Sequence, residues 1–286
     1  MNYSKKELQS TRFIPGSSIE IIRDVNLPSP PEHALFDFDG TISLIREGWT
    51  EVMSCFMVEI LRSTGTNESD KVLHDIAIDF INETTGIQSI YQMIRLADEV
   101  KKRGAEPEDP LIYKYEYNRL LLQHISERCE SLRLRKTSPE NMMVPFVLEM
   151  LSTLREHGVK LYLASGTDIQ YVRKEAQLLG VDTFFGNHIY GAVDMYRSYS
   201  KKNVIDNILS ENKLECTKLI GFGDGFVEIE NVKSAGGTAI AVASDESGRS
   251  GKPDQWKRNR LIKANADIVI SDFRDYELLV KYLWNE

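Results

Sequence analysis

Short apolar segments alternate with amphipathic segments of helical periodicity along the second half of the chain, from residue 157 onward. The apolar segments include VKLYLAS, TKLIGFGDG, TAIAVAS and ADIVISD, and the helical ones include DIQYVRKEAQLLG and KKNVIDNILSEN. This alternation is typical of parallel strands joined by right-handed crossovers. We therefore predict an α/β fold with a Rossmann-like, doubly wound parallel sheet.

A further strand-like segment, HALFDFD, lies well upstream, and the residues between it and the alternating region have helical periodicity without strand signals. An all-helical block is thus inserted after the first strand. The sequence predicts an α/β core of residues 31–45 and 145–286, a helical cap of residues 46–144 and an N-terminal extension of residues 1–30.

Composition excludes several classes of protein. The 286 residues contain 35 Lys and Arg against 43 Asp and Glu, a formal net charge of −8. Because nucleic-acid binding depends on clustered cations, we expect no nucleic-acid partner. No segment has the long uncharged stretch of a membrane span, and three widely spaced cysteines predict neither a disulfide framework nor a zinc site. We expect a cytoplasmic protein, monomeric or homodimeric.

Two aspartates, Asp37 and Asp39, end the upstream strand in the segment ALFDFDGTIS. Residues i and i+2 of a strand face the same way, so both carboxylates can reach one small volume. Acids also end strands simply because they form turns. Two close carboxylates, however, repel each other and need a cation or a shared proton. The pair therefore favours a functional site.

A second strand ends in acids in the segment LIGFGDGFVEIE, where Glu228 follows Asp224 by about one helical turn. If the two strand ends adjoin, three or four oxygen ligands converge, and Mg²⁺ is the usual occupant of such a site. The alternative is that Glu228 only favours the start of a helix.

A serine and a pair of lysines complete the candidate residues. Ser165 lies where LYLASGTD passes from strand to helix, which suits a phosphate cradle or an ordinary helix cap. Lys201 and Lys202 begin a helix, where the helix dipole disfavours cations. They indicate an anionic partner or a solvated pair.

These elements occur in one order: DFDGT, then SGT after an apolar strand, then a lysine that opens a helix, then GDGFVE. In this the chain resembles the haloacid dehalogenase superfamily, and within it the Mg²⁺-dependent phosphatases with a helical cap after the first motif. Phosphoglycolate phosphatases and β-phosphoglucomutases belong to this branch. The resemblance covers roughly residues 32–45 and 145–272.

The resemblance implies how catalysis would be divided. Asp37 would be the nucleophile that forms an aspartyl-phosphate, and Asp39 the general acid and base. Ser165 would bind the transferring phosphoryl group, and Lys201 would neutralise it and hold Asp37. The acid at position 39 favours phosphate esters, because the dehalogenases and phosphonate hydrolases of the superfamily lack it.

The resemblance also implies a Mg²⁺ site made by Asp37, the main-chain carbonyl of Asp39, and Asp224. Many relatives have two aspartates where this chain has Asp224 and Glu228, so Glu228 is expected to support the metal through Lys201 or water, although a direct bond stays open. Lys201 is preferred over Lys202 because apolar residues follow it at i+3, i+4 and i+7.

Substrate choice should reside in the cap, since capped relatives close it over the site. Arg46 and Trp49 follow the first motif closely enough to overhang the site, and Gln88 and Gln92 share one helical face that is either pocket-lining or solvated. Thr41 of the DFDGT motif and Gly166 of the SGT motif are added to these. The predicted substrate contacts are therefore Thr41, Gly166, Arg46, Trp49, Gln88 and Gln92.

Three functions remain open on sequence. The first is a Mg²⁺-dependent phosphatase acting on a small phosphorylated metabolite, such as a sugar phosphate or phosphoglycolate. The second is a phosphomutase of the β-phosphoglucomutase type, which shares the core residues. The third is a non-catalytic binding or regulatory module, which the complete set of catalytic residues disfavours.

Overall fold

A computed structural model describes residues 12–25, 27–196 and 199–286 of the chain. Residues 1–11 of the predicted N-terminal extension lie outside the described residues. The strands are β1 (Arg12–Phe13), β2 (Glu20–Ile21), β3 (His33–Phe36), β4 (Lys160–Asp168), β5 (Ile189–Ala192), β6 (Leu219–Gly223), β7 (Thr238–Val242) and β8 (Ile268–Ile270). In this part of the chain they form one sheet in the order β1-β2-β8-β7-β6-β3-β4-β5.

Helices connect these strands and form the inserted block. They are α1 (Trp49–Arg62), α2 (Asp70–Thr84), α3 (Ser89–Lys102), α4 (Pro110–His124), α5 (Ser126–Arg133), α6 (Val147–Glu156), α7 (Ile169–Leu179), α8 (Asp182–Phe185), α9 (Lys201–Asn212), α10 (Phe226–Ser234), α11 (Gln255–Lys263) and α12 (Tyr276–Trp284). Within the described residues, no helix is long and apolar enough to cross a membrane.

The strands from β3 to β8 run parallel, and apolar side chains project from both faces of the sheet. On β3, Ala34 and Phe36 pack into one core, which includes residues of α6, α7 and α12. Leu35 points the opposite way into a second core formed with α9, α10 and α11. Strands buried on both faces read as nearly continuous apolar segments, as this sequence does. The predicted doubly wound α/β class is confirmed.

Strand β3 lies between β4 and β6. The chain adds β4 and β5 on one side of β3 and then crosses to the other side to add β6. Ligands of open α/β sheets bind beyond the carboxyl ends of strands at such a reversal. The DFDGT segment follows β3, and the SGT segment is part of β4. The GDGFVE segment begins at the last residue of β6. Three segments that are far apart in sequence therefore meet at one edge.

Residues 20 and 21, from the segment IEIIRDV, extend the sheet as β2, which pairs antiparallel with β8. Helices α1 to α4 pack on one another, and α5 packs against α7 of the core. These five helices fall inside the predicted cap, whose limits at residues 46 and 144 stay a prediction. The segment 110–132, which has one helical pattern, is divided at Ile125 into α4 and α5.

A buried ion pair attaches the cap to the core. Lys114 of α4 is 1% exposed, and its Nζ lies 2.6 Å from Oδ1 of Asp168 at the end of β4. Asn118, one turn later on α4, donates to Oδ2 of Asp168 at 3.1 Å. Both oxygens of this carboxylate are thus held by the cap.

We expect Lys114→Met to lower the free energy of unfolding by about 3 kcal/mol or more, because it leaves Asp168 buried without a cation. Urea denaturation measures the change. Arg119→Met is the matched control, since Arg119 lies on the same helix in an exposed pair with Glu116; it should leave stability nearly unchanged. Equal effects of the two substitutions would contradict the buried attachment.

Candidate active site

The carboxylate of Asp37 lies at the meeting point of the three segments and is 6% exposed. Its main-chain N–H donates to the carbonyl of Phe222 on β6 at 2.9 Å, and Lys201 Nζ donates to its Oδ1 at 2.6 Å. Burial raises the pKa of Asp37 to about 7; Lys201 opposes this rise, whereas Asp224 and Asp39 add to it. Asp37 thus lies among more negative than positive charge, and a further cation would offset the repulsion.

Lys201 reaches this carboxylate because it is the first residue of α9, whose start is capped by the side chain of Ser200. It shares the buried face of the helix with Val204, Ile205 and Ile208. Lys202 points away, is exposed and pairs with Asp206. Of the two lysines that the sequence left open, the structure brings only Lys201 to Asp37.

Glu228 is buried in the first turn of α10, and its carboxylate forms an ion pair with Lys201. A Cβ added at Gly225 would collide with this carboxylate, and one at Gly86 of the cap would come within 3.1 Å of it. Glu228 is thus paired with Lys201 and enclosed by Gly225 and Gly86, and its part in the expected metal site stays a prediction.

Asp39 is held from one side by hydroxyl groups. Its Oδ2 accepts hydrogen bonds from Ser165 Oγ at 3.2 Å and from Thr167 Oγ1 at 2.9 Å. Its Oδ1 accepts no hydrogen bond within the described residues and lies 3.7 Å from Arg46 Nε. The Ser165 hydroxyl, predicted as a phosphate ligand, binds Asp39 in this structure. Thr167 was not singled out from the sequence.

Arg46 is buried in a bidentate pair with Glu175 of α7. Its Nε lies 2.9 Å from Oε2 and its Nη2 lies 2.7 Å from Oε1. Burial opposes the charged form, but Glu175 and then Asp39 raise the pKa of Arg46 above its ordinary value. The sequence carried a signal for this partner, because Glu175 lies among the buried residues of α7: Val172, Ala176 and Leu179.

Asp224 follows β6 and lies against the turn after β3. Gly40, at φ +74°, has no room for a side chain, because a Cβ there would collide with the Asp224 carboxylate. Lys257 of α11 donates from Nζ to Asp224 Oδ2 at 2.9 Å and to Glu246 Oε1 at 2.5 Å. Ser244 Oγ lies 3.2 Å from the same Nζ and donates to the Gly40 carbonyl at 2.8 Å. Lys257 and Glu246 were missed by sequence reasoning.

The donors around this turn fit Mg²⁺. Asp37 and Asp224 supply hard carboxylate oxygens, and their proximity contributes to the raised pKa of Asp37. Among the described residues, no group of three or more His, Cys, Asp or Glu side chains is placed to hold a metal. The expected Mg²⁺ site has only two carboxylate side chains, completed by the main-chain carbonyl of Asp39 and by water. These residues are compatible with such a site.

One cavity of about 100 Å³ joins the core residues to the cap. Many of the residues predicted from sequence line it: Asp37, Asp39, Arg46, Trp49, Gln92, Ser165, Gly166, Lys201 and Asp224. A Cβ added at Gly166 would lie 2.7 Å from the carbonyl of Ile87, so the cap backbone closes directly over this glycine.

Two predicted substrate contacts are not among the residues that line the cavity. The Thr41 side chain is fully buried, and its hydroxyl has no partner within the described residues. Gln88 donates from Nε2 to the carbonyls of Tyr196 at 3.1 Å and Tyr199 at 2.8 Å. Gln88 stands at the N-cap position of α3 without capping the helix by its side chain, and it ties the cap to the segment before α9 instead.

Solved structures with the same fold come from several bacteria. A β-phosphoglucomutase from Clostridium difficile matches with a TM-score of 0.60 and 16% identity, over 88% of this chain and 97% of that one. A phosphonoacetaldehyde hydrolase-like protein from Oleispira antarctica matches with a TM-score of 0.61 and 14% identity, over 92% and 95%. A predicted phosphoglycolate phosphatase from Haemophilus somnus gives 0.55 and 16%, over 87% and 97%.

These identities are low enough that the structural matches show the fold alone. A comparison with curated protein sequences finds no significant match. The sequence profile of haloacid dehalogenase-like hydrolases, however, matches residues 31–236, well over half of the chain. The protein therefore belongs to the haloacid dehalogenase-like hydrolases.

Proposed function

We propose that this protein is a Mg²⁺-dependent phosphatase that hydrolyses a small phosphorylated metabolite through an aspartyl-phosphate. The observation that carries the proposal is the division of the aspartate pair. Asp37 is held by the ammonium group of Lys201, whereas Asp39 is held by the hydroxyls of Ser165 and Thr167. Two carboxylates with different partners suit different chemical roles.

In the first half of the reaction, a carboxylate oxygen of Asp37 attacks phosphorus, and the bond from phosphorus to the ester oxygen breaks. The protonated carboxyl of Asp39 gives its proton to the departing oxygen. Lys201 keeps the attacking carboxylate in place and offsets charge on the phosphoryl oxygens.

In the second half, water attacks the phosphorus of the aspartyl-phosphate and gives a proton to the Asp39 carboxylate. The bond from phosphorus to the Asp37 oxygen breaks, which releases phosphate and restores both side chains. Asp37, Asp224 and the main-chain carbonyl of Asp39 would hold the Mg²⁺ ion, which would supply positive charge next to the phosphoryl oxygens.

We expect Asp37→Asn to lower phosphate release from p-nitrophenyl phosphate in the presence of Mg²⁺ on the order of 10³-fold or more, because the amide cannot form the acyl phosphate. Asp206→Asn is the matched control, since Asp206 lies on the exposed side of α9 in a pair with Lys202. It should keep wild-type activity. If the Asp37→Asn variant were as active as wild type, Asp37 would not be the nucleophile.

A phosphomutase is the alternative that one observation favours. The cap backbone at Ile87 lies against Gly166, and such closure would protect an aspartyl-phosphate from water, as a mutase requires. The Asp39 side chain is nevertheless 25% exposed, which leaves water a path to the general base.

We therefore expect β-glucose 1-phosphate, if it is accepted with Mg²⁺, to yield free phosphate. Coupled enzymatic detection of glucose 6-phosphate and a colorimetric phosphate assay on the same samples separate the two functions. Accumulation of glucose 6-phosphate without free phosphate would show mutase activity and contradict the phosphatase function.

A further inference from the structure

The charges around the cavity bear on which phosphorylated metabolite it takes. The charged side chains that line it are four carboxylates and two cations: Asp37, Asp39, Asp168, Asp224, Arg46 and Lys201. Both cations already have carboxylate partners. Lys201 is held by Asp37 and Glu228, and Arg46 by Glu175.

The cap side of the cavity offers no further cation among the described residues. Asp168 lines it, but its charge is balanced by Lys114, whose Nζ lies 2.6 Å from Oδ1. Lys114 itself is not among the lining residues. A ligand group that reaches the cap thus meets a neutralised carboxylate rather than a free ammonium group.

Neutral polar groups complete this wall. Gln92 is 3% exposed, and its side chain lines the cavity. Ser89 and Thr85 line the cavity nearby in sequence. A side-chain amide offers two donors and an acceptor, which suits hydroxyl groups of a ligand.

We infer that the substrate is the phosphate ester of a neutral, hydroxylated molecule, a polyol or sugar, and that a second anionic group on the substrate is rejected. This rests on the proposed phosphatase function. A carboxylate brought into the cavity would lose its hydration without gaining a free cation, which is costly in a buried site. Hydroxyl groups exchange water for Gln92 and its neighbours at little cost.

Matched pairs of substrates test this. Glycerol 3-phosphate and 3-phosphoglycerate differ by a CH₂OH group against a carboxylate, and sorbitol 6-phosphate and 6-phosphogluconate form a second such pair. We expect kcat/KM to be at least about tenfold higher for the neutral member of an accepted pair. Gln92→Arg should move the ratio toward the acid, whereas Gln123→Arg, the same change at an exposed position of α4, should not.

Equal or better turnover of the acid members would overturn the inference and leave the phosphatase function standing. Turnover of p-nitrophenyl phosphate with no turnover of either neutral member would also overturn it. If p-nitrophenyl phosphate is not hydrolysed either, the proposed function itself fails, and the inference fails with it.

A second, independent observation concerns Lys257. Its Nζ lies between Asp224 and Glu246, and the side chains of Lys257 and Asp224 are each 13% exposed. A cation bound by Asp224 shares that carboxylate with Lys257. We infer that Lys257 weakens cation binding at Asp224, and that Glu246 strengthens it by drawing the ammonium group to itself. Both would be positioning residues for the proposed Mg²⁺ site.

Isothermal titration of Mg²⁺ into EDTA-treated, dialysed protein without substrate measures this directly. Lys257→Met should lower the Mg²⁺ Kd on the order of tenfold, because Asp224 and Glu246 then face the ion unopposed. Glu246→Gln should raise it, and the double variant should lie between the two. Lys257→Arg keeps the charge and should stay closer to wild type.

Lys263→Met, at the exposed end of the same helix, controls for loss of a remote charge. Thermal unfolding in EDTA checks that each variant is folded. Shifts of Lys257→Met and Glu246→Gln in the same direction, or no shift in either, would overturn the assignment. Absence of Mg²⁺ binding in the wild type would instead remove the metal from the proposed function and the assignment with it.

Discussion

The ion pair between Lys201 and Asp37 is the interaction on which the rest of the site depends. A carboxylate this deeply buried is costly unless a cation and hydrogen bonds compensate it. The same pattern recurs around the cavity, where other buried or half-buried acids pair with bases from different elements. The further pairs are Arg46 with Glu175, Lys114 with Asp168, and Lys257 with Asp224 and Glu246.

These pairs also explain why the cap and the core form one site. Asp168 belongs to β4, but the cap residues Lys114 and Asn118 hold it. The close approach of the Ile87 carbonyl to Gly166 then limits the cavity from above. In such an enclosed volume, the protein's charges act with little screening by water. Under the proposed function, substrate choice and phosphoryl transfer would therefore depend on the same closed arrangement.

Sequence reasoning succeeded where the signal was local. The motif residues Asp37, Asp39 and Asp224 follow apolar strands, and the topology of a doubly wound sheet brings their ends together. It failed where a side chain had two possible directions. The sequence places Gln88 and Gln92 on one helical face. Of the two, only Gln92 lines the cavity, because the Gln88 amide donates to the carbonyls of Tyr196 and Tyr199.

By itself, the sequence determined the fold class, the helical insertion, the motif residues and the preference for Lys201 over Lys202. These follow from periodicity, from spacing along the chain and from the order of motifs that carries the family resemblance. Only the tertiary structure decided that Arg46 is neutralised by Glu175 and that Lys257 reaches Asp224. The physical reason is that partners of buried charges lie on distant elements, and nothing in the local sequence of a lysine or glutamate records which carboxylate or ammonium group it will meet.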